Sequence, residues 1–220
     1  RPEDIETFRK VIVPYWKGKS IEDVFKNRIG NEISAISKVV KVNQTDHAQG
    51  HICPNVKEWL ELGPQGYIDL ARNHLKTCSE SKKEFYECVI LVMQGVQKFM
   101  LRYHDLALEM NKKAVAKICK NLAYKPAVTF HEALQSLWFL FVVLHMESNA
   151  SSFSPGRLDE TLYPYYKQDI DSGMLKESEA LELIECLWLK FNEIVYIRNA
   201  HSAKYFEGFP IGFNICVCGQ

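Results

Sequence analysis

Residues 151–166, SSFSPGRLDETLYPYY, place three serine hydroxyls, an arginine and an aspartate shortly after a very apolar stretch, residues 137–144. Hydroxyls on a short turn donate and accept hydrogen bonds with little side-chain entropy to lose, which suits the binding of a small polar molecule. Polar groups next to a buried element need partners, so this segment is either a satisfied structural network or a ligand site. Serine side chains in a turn most often bond their own backbone, and that alternative stays open.

Arg157 and Asp159 lie two residues apart in this segment, close enough to pair with each other or to bridge two elements. A buried arginine must be paired, so we interpret Arg157 as part of a structural ion network. Asp159 fits either that network or a ligand site. His51 follows a glycine in an irregular segment, and a histidine in such a place is by itself typical of a hydrogen-bonded loop residue rather than an acid–base group.

The elements that must position these residues are mostly helices. Apolar residues that recur at three- and four-residue steps predict long helices over residues 84–110 and 129–146 and from about 177 to 197, and shorter ones over 56–62, 67–75, 115–122 and 162–170. The 129–146 segment is apolar nearly all round, so it should be buried on every side. Thr129, followed three residues later by Glu132, has the spacing of a capping box at its start.

One strand is predicted with more certainty than any other. Apolar side chains occupy every second position of residues 209–218, which is the pattern of a strand with one buried face. A strand needs a pairing partner, and the rest of the sequence offers no evident one. Residues 30–54 show no clear pattern, and we expect them to be irregular.

The composition excludes several classes of function. Lys+Arg and Asp+Glu number 27 each, so no net field attracts nucleic acid or an anionic membrane. The seven cysteines include no C-x-x-C pair, which predicts neither a disulfide framework nor a zinc site and favours a reducing, cytoplasmic compartment. The longest apolar run, residues 137–144, is far shorter than the roughly 20 residues that span a bilayer. The charged start, RPED, is unlike a signal peptide.

Several motifs together resemble those of the glycyl radical enzymes. They are Phe130-His131-Glu132-Ala133-Leu134-Gln135, Glu147-Ser148-Asn149, Ser154-Pro155-Gly156-Arg157-Leu158-Asp159, Leu162-Tyr163-Pro164-Tyr165-Tyr166, Leu187-Trp188-Leu189-Lys190-Phe191-Asn192-Glu193-Ile194 and Gly208-Phe209-Pro210. Within that superfamily the chain resembles the branch of pyruvate formate-lyase homologues, which includes glycerol, diol and hydroxyproline dehydratases and choline trimethylamine-lyase. The likeness also reaches Tyr15-Trp16 and Gly50-His51, so it covers almost the whole chain.

The resemblance implies an α/β barrel in which one loop carries a catalytic cysteine and another a radical-bearing glycine. The resemblance implies that both family motifs, a cysteine two residues before a glutamate and an Arg-Val-Ala/Ser-Gly-Tyr stretch, lie beyond the portion of the family that residues 1–220 match. The second motif does not occur in residues 1–220, and the one cysteine two residues before a glutamate, in Cys78-Ser79-Glu80, lies in the part that resembles the family's amino-terminal helices. We therefore expect a chain that is mainly α with few strands and forms the N-terminal helical part of such a barrel. It would contain no catalytic residue and would be inactive alone.

The resemblance also implies roles for single residues. Ser152 falls where glycerol-type dehydratases have a serine that contacts substrate, and Ser151 falls where many of them have histidine. His51 falls where this branch has a histidine, and the resemblance implies that this histidine contacts substrate. The candidate substrate-binding residues are therefore His51, Ser151, Ser152 and Asp159, with Arg157 assigned to a structural ion network and no metal ligand expected.

The leading hypothesis is a fragment of a radical dehydratase or lyase that acts on a small diol or polyol. The resemblance implies no directly bound cofactor, a glycyl radical installed by a separate radical S-adenosylmethionine activating enzyme, and a homodimer. The alternatives are another glycyl radical lyase (carbon–nitrogen or carbon–sulfur cleavage, a decarboxylase or a formate acetyltransferase type) and a non-catalytic helical module derived from this fold.

Overall fold

The computed structural model describes residues 2–20, 23–24, 27–28, 35–36, 52–147, 153–194, 204 and 215–217. The chain divides into two compact units, residues 1–49 with 148–150 and residues 50–147 with 151–220, which we describe separately. The first unit contains α1 (Pro2–Thr7), a π-helical turn (Phe8–Ile12) and α2 (Val13–Trp16), and every described residue of these three elements is exposed.

The second unit holds the predicted long helices and two short strands. Its described elements are α3 (Val56–Leu75), α4 (Glu80–Glu109), α5 (Lys113–Tyr124), α6 (Phe130–Glu147), β1 (Gly156–Arg157), α7 (Leu158–Asp171), α8 (Glu177–Phe191) and β2 (Ile215–Cys216). The expectation of a mainly helical chain with few strands is confirmed for the described residues. None of their helices is both long and apolar enough to cross a membrane.

The boundaries of α3 and α6 follow from local chemistry. The sequence predicted two helices separated by Gly63-Pro64, and α3 consists of two helical segments that meet at a kink at Gly63, whose φ of +59° and ψ of −179° are not helical. At the start of α6 the Thr129 hydroxyl accepts a hydrogen bond from the Glu132 N–H at 3.2 Å. In return the Glu132 carboxylate accepts one from the Thr129 N–H at 3.3 Å. The predicted capping box is therefore confirmed.

Helix α6 lies at the centre of the hydrophobic core. It contacts α3, α5, α7 and α8, and the rings of Phe99 and Tyr103 on α4 pack edge-on against Phe139. Phe139 is fully buried, and burial of one such side chain contributes about 1.5–3 kcal/mol to stability. The indole N–H of Trp59 donates to the Ser136 carbonyl at 3.1 Å, which ties α3 to the middle of α6.

The amino terminus of α6 is held from α7. One carboxylate oxygen of Asp169 accepts a hydrogen bond from the Phe130 N–H at 2.7 Å, and the aspartate is only 4% exposed. The main-chain carbonyl of Asp169 also accepts from the N–H groups of Met174 and Leu175, so the same residue ends α7. A buried carboxylate at this position satisfies an orphan donor and complements the helix dipole.

Three extended segments lie side by side and parallel. Gly156 pairs with Ile215 and Arg157 with Cys216, and an isolated parallel bridge joins Ile52 to Phe153. The expected irregular segment before Pro54 and the expected turn around Pro155 therefore both contribute to pairing. Of the strand predicted at residues 209–218, the structure describes residues 215–217. Ile215 and Cys216 pair with the segment that the sequence indicated was a turn, and the other predicted strand positions lie outside the described residues.

A positive φ and a close neighbouring atom both favour glycine at position 156. Comparison with Gly173 separates these two effects. Both glycines have positive φ, +74° and +71°, but a Cβ at Gly156 would lie 3.0 Å from the Cys53 sulfur whereas one at Gly173 meets nothing within 4 Å. Gly173→Ala should lower the free energy of unfolding by about 1–2 kcal/mol through backbone strain alone. Gly156→Ala should lose at least about 1 kcal/mol more because of the clash.

Urea denaturation of both variants checks this prediction. Equal losses for Gly156→Ala and Gly173→Ala would show that Cys53 imposes no steric limit on β1.

Candidate functional site

The predicted substrate-binding residues His51, Ser151 and Ser152 lie outside the described residues. The residues that directly follow two of them in sequence are described: Ile52 follows His51, and Phe153 follows Ser152. These two form the parallel bridge, and the N–H of Ser154 donates to the Ile52 carbonyl at 2.9 Å. Two segments about a hundred positions apart in sequence are thus adjacent in the fold.

The strand that carries Phe153 has one face against the helices. Phe153 is 2% exposed, and its ring packs edge-on against His145 of α6 with 4.8 Å between centroids. Pro155 is also buried, while Ser154 and Gly156 are only partly buried. Burial therefore alternates over residues 153–156, and Phe153 faces the helical layer.

Arg157 and Asp159 form a two-point ion pair between β1 and the first turn of α7. Nε of Arg157 donates to one carboxylate oxygen of Asp159 and an Nη donates to the other, each at 2.8 Å. Glu160 also lies 3.0 Å from the guanidinium. Both acids lie in the first turn of α7, where negative charge is favoured by the helix dipole. The pair therefore fixes the angle at which the strand enters the helix.

The sequence interpretation treated Arg157 as buried, but the ion pair is partly exposed. The side chains of Arg157 and Asp159 are 37% and 33% exposed, so water can solvate either charge when its partner is removed. Asp159 also lines a cavity of about 500 Å³ between α6, α7 and α8, whose walls are mostly apolar. Its two carboxylate oxygens already accept hydrogen bonds from Arg157, so a ligand bound by Asp159 would have to share them.

His145 was not singled out from the sequence, yet it lies between the core and the strand. Nδ1 lies 2.6 Å from the Phe141 carbonyl, which can only accept, so Nδ1 carries the proton. In the described part of the chain, the buried Nε2 atom has no hydrogen-bond partner. Burial lowers the pKa of His145, although its bond to Phe141 opposes that shift. The sequence feature that could have identified His145 is a titratable residue in the last turn of a mostly apolar helix.

His131 is a second titratable residue whose charged form is disfavoured. It lines a cavity of about 320 Å³ between α4, α5, α6 and α8, together with the buried thiol of Cys119. Burial lowers the pKa of His131, with a smaller opposing effect from Glu132, and burial raises the pKa of Cys119 to about 11. The described residues contain no group of three or more His, Cys, Asp or Glu side chains placed to hold a metal ion.

Comparison with known proteins relates this arrangement to one family. The family model described as pyruvate formate lyase-like matches residues 1–220. The chain is 30% identical to the (2S)-3-sulfopropanediol dehydratase of Klebsiella oxytoca over 93% of this chain and 28% of that protein. It is 27% identical to the isethionate sulfite-lyase of Nitratidesulfovibrio vulgaris over 100% of this chain and 30% of that protein.

A solved structure agrees with the sequence comparison. The glycerol-bound form of the B12-independent glycerol dehydratase from Clostridium butyricum superimposes with a TM-score of 0.82 and 30% identity. That match covers 100% of this chain and 30% of the dehydratase. The chain therefore spans about three tenths of the length of the relatives it matches.

A double-mutant cycle on Arg157→Ala and Asp159→Ala measures what the ion pair contributes. We expect a coupling energy of about 0.5–1 kcal/mol, in the upper part of the usual range for exposed pairs, because the contact is bidentate but partly exposed. The matched control is the cycle on Arg72→Ala and Asp69→Ala, whose single 3.5 Å contact is more exposed. A coupling for Arg157 and Asp159 no larger than that control would mean that the pair does not hold the strand-to-helix junction.

The two histidines make stability depend on pH. Because burial lowers their folded-state pKa below the unfolded value of about 6.5, the unfolded state binds more protons, and stability is lost as pH falls below about 6.5. Denaturation curves at pH 7.5 and 5.5 should therefore show a smaller loss for His131→Gln/His145→Gln than for the unaltered chain. The control is His74→Gln, an exposed position. An unchanged pH dependence in the double variant would contradict the prediction.

Proposed function

Because the chain belongs to the pyruvate formate lyase-like family, we propose that it forms one side of the substrate pocket of a glycyl radical dehydratase whose substrate is a small diol or polyol. The observation that carries the proposal is the parallel bridge between Ile52 and Phe153. It joins the two segments that hold the candidate substrate contacts His51 and Ser152.

Covalent geometry makes the bridge informative about its neighbours in sequence. His51 and Ser152 are each bonded to one partner of the bridge, and consecutive Cα atoms are 3.8 Å apart. Paired strands lie only about 4.8 Å apart. The proposal therefore requires only that the parallel register continue for one residue towards the amino terminus. Matched positions of a parallel pair share a face, so His51 and Ser152 would then act on the same ligand.

The burial of Phe153 supports a proposal for the face of the strand on which the ligand would bind. Phe153 packs towards α6. If the extended conformation continues towards the amino terminus, Ser152 would belong to the opposite face. A pocket on that face would be walled by the strands and would receive the Ser152 hydroxyl. The helices on the other face would act as a rigid support.

A serine hydroxyl and a histidine suit the recognition of adjacent alcohol groups. The hydroxyl both donates and accepts, and the imidazole offers one donor and one acceptor in its neutral form. A polyol held at two points is fixed in orientation, which is what abstraction of one particular hydrogen by a radical requires. In the proposed complete enzyme the radical chemistry belongs to cysteine and glycine segments outside residues 1–220.

Ser151 and Asp159 complete the proposed binding set, with different roles. Ser151 would supply a hydroxyl where related dehydratases have an imidazole, which changes the shape and donor pattern of the pocket. Asp159 would act mainly through Arg157, because that arginine already occupies both of its oxygens. A homodimer and a separate radical-activating enzyme belong to the same proposal.

A second function, cleavage of a carbon–sulfur bond, has an observation in its favour. An isethionate sulfite-lyase matches the whole chain at 27% identity. Both reactions need a small hydroxylated substrate held near a radical, so the strand geometry serves either one. The substrate has to be decided by assay.

Ser152→Ala should lower kcat/KM about tenfold or more in an activated, anaerobic enzyme that contains this chain together with the cysteine and glycine segments. Loss of one hydrogen bond to a neutral substrate costs about 0.5–1.5 kcal/mol, and more where the bond strengthens in the transition state. Glycerol, 1,2-propanediol and isethionate are assayed in parallel, with aldehyde and sulfite as products. Ser178→Ala, an exposed serine on α8, is the matched control and should retain full activity.

Release of sulfite from isethionate without dehydration of either diol would replace the dehydratase by the lyase. Equal kcat/KM values for Ser152→Ala and Ser178→Ala on every turned-over substrate would remove Ser152 from the pocket.

A further inference from the structure

The cavity of about 320 Å³ between α4, α5, α6 and α8, hereafter the four-helix cavity, has the size of a small-molecule site. Such sites usually measure about 300–1,000 Å³. At about 30 Å³ for each water molecule, it has room for roughly ten waters or a ligand of about ten non-hydrogen atoms. Within the described part of the chain, its lining comes from these helices and the turn between α4 and α5, and none of it comes from the strands.

Helix α6 presents two polar side chains to the four-helix cavity. His131 and Gln135 lie four residues apart, so they share one face of the helix. Both are only partly buried, whereas residues 132–134 and 136–139 are all buried. The cavity therefore reaches the side of a helix that is enclosed at the neighbouring positions.

These two polar side chains are available to a ligand. Neither His131 nor Gln135 has a side-chain hydrogen bond to another residue that the structure describes. The amide of Gln97, by comparison, donates to Gln65 and to the Ala123 carbonyl, each at 2.9 Å. Polar groups withdrawn from water normally have partners, so the imidazole and the amide can bond to a molecule that occupies the cavity.

The described lining of the four-helix cavity carries positive charge. It includes Lys112 and Lys190 and no acidic side chain. Burial raises the pKa of the Cys119 thiol to about 11 and lowers the pKa of His131, so both groups are uncharged at neutral pH. Lys112 has no ion-pair partner among the described residues. Lys190 lies 2.8 Å from Glu193, but its ammonium group has three donors and can bond to a second acceptor.

Apolar surface adjoins this charge. Most of the other lining side chains are apolar, and the Lys190 ammonium lies 5.9 Å from the ring centroid of Trp138, which lines the same cavity. The thioether of Met110 can adapt its shape to a flexible hydrocarbon. Cationic groups beside apolar walls are complementary to a molecule that has an anionic end and a hydrocarbon body.

We propose that the four-helix cavity binds a small amphiphilic carboxylate, whose hydrocarbon body lies against the apolar walls and whose carboxylate accepts hydrogen bonds from the lysines and from Gln135 or His131. Hydrogen bonds that involve a charged group are stronger than neutral ones, so the carboxylate adds affinity that a neutral alcohol lacks. A cationic head group would meet like charge. The inference does not depend on the proposed catalytic function, because it uses none of the candidate substrate contacts.

Isothermal titration calorimetry with octanoate, 1-octanol and octylammonium tests which charge the cavity accepts. These probes share one hydrocarbon body and have about ten non-hydrogen atoms, so we expect octanoate to bind with a Kd on the order of 0.1 mM. Octanol should bind at least tenfold more weakly and octylammonium not measurably. Absence of saturable octanoate binding would overturn the site, and equal affinity for octanol or octylammonium would overturn the assignment to a carboxylate.

Charge reversal tests the role of the lysines. Lys112→Glu/Lys190→Glu should weaken octanoate binding at least tenfold and leave octanol binding unchanged, because only the carboxylate meets the new charges. The matched control is Lys117→Glu/Lys120→Glu, the same charge change at two exposed positions of α5 outside the cavity lining. An equal loss in the control would show that overall charge, and not the cavity, attracts the anion.

Filling the cavity tests where the ligand lies. Cys186 lines the cavity yet is exposed, so the larger side chain of Cys186→Trp can enter it without displacing the core. This variant should weaken binding of octanoate and octanol at least tenfold, whereas Leu189→Trp, at a position of α8 that is 69% exposed and outside the lining, should not. Circular dichroism checks that each variant keeps its helical content. Full octanoate affinity in Cys186→Trp would overturn the proposal.

Discussion

The contact between the Asp169 carboxylate and the amino terminus of α6 holds the helix on which the other elements pack. Helix α6 is apolar on nearly every side, so it is stable only when α3, α4, α5, α7 and α8 enclose it. An apolar helix can rotate and slide among apolar neighbours at little cost. A buried, charge-assisted hydrogen bond at 2.7 Å prevents this at one end. The Trp59 bond to Ser136 prevents it in the middle.

The position of α6 in turn decides where the segment around Phe153 lies. Phe141, His145 and Phe153 form a stack that links the last turns of α6 to the strand after it. Phe153 is drawn towards the helices, and Ser154 beside it is only partly buried. The apolar run thus anchors the segment from which, in the function proposed above, a serine hydroxyl would reach the substrate.

Strand β1 is short, and its register depends on side-chain and backbone constraints outside its own hydrogen bonds. Gly156 gives the sulfur of Cys53 room to lie against the neighbouring segment, and Arg157 grips Asp159 at the point where strand becomes helix. A two-residue ladder alone would not define a register. The junction with α7 and the packing of Phe153 supply the missing restraint.

The sequence alone determined the helices of the second unit, the capping box at Thr129 and the family to which the chain belongs. These are local or patterned properties: periodicity reports which face is buried, and a cap needs only residues three positions apart. It could not determine the bridge between Ile52 and Phe153, the partner of the strand at Ile215, or the orphaned nitrogen of His145. Each of these depends on contacts between residues distant in sequence, and burial of a polar atom is decided by what packs around it. The sequence correctly predicted that Arg157 takes part in an ion pair, but the prediction that it is buried was wrong. Its exposure depends on the tertiary structure, which leaves one side of that ion pair open to water.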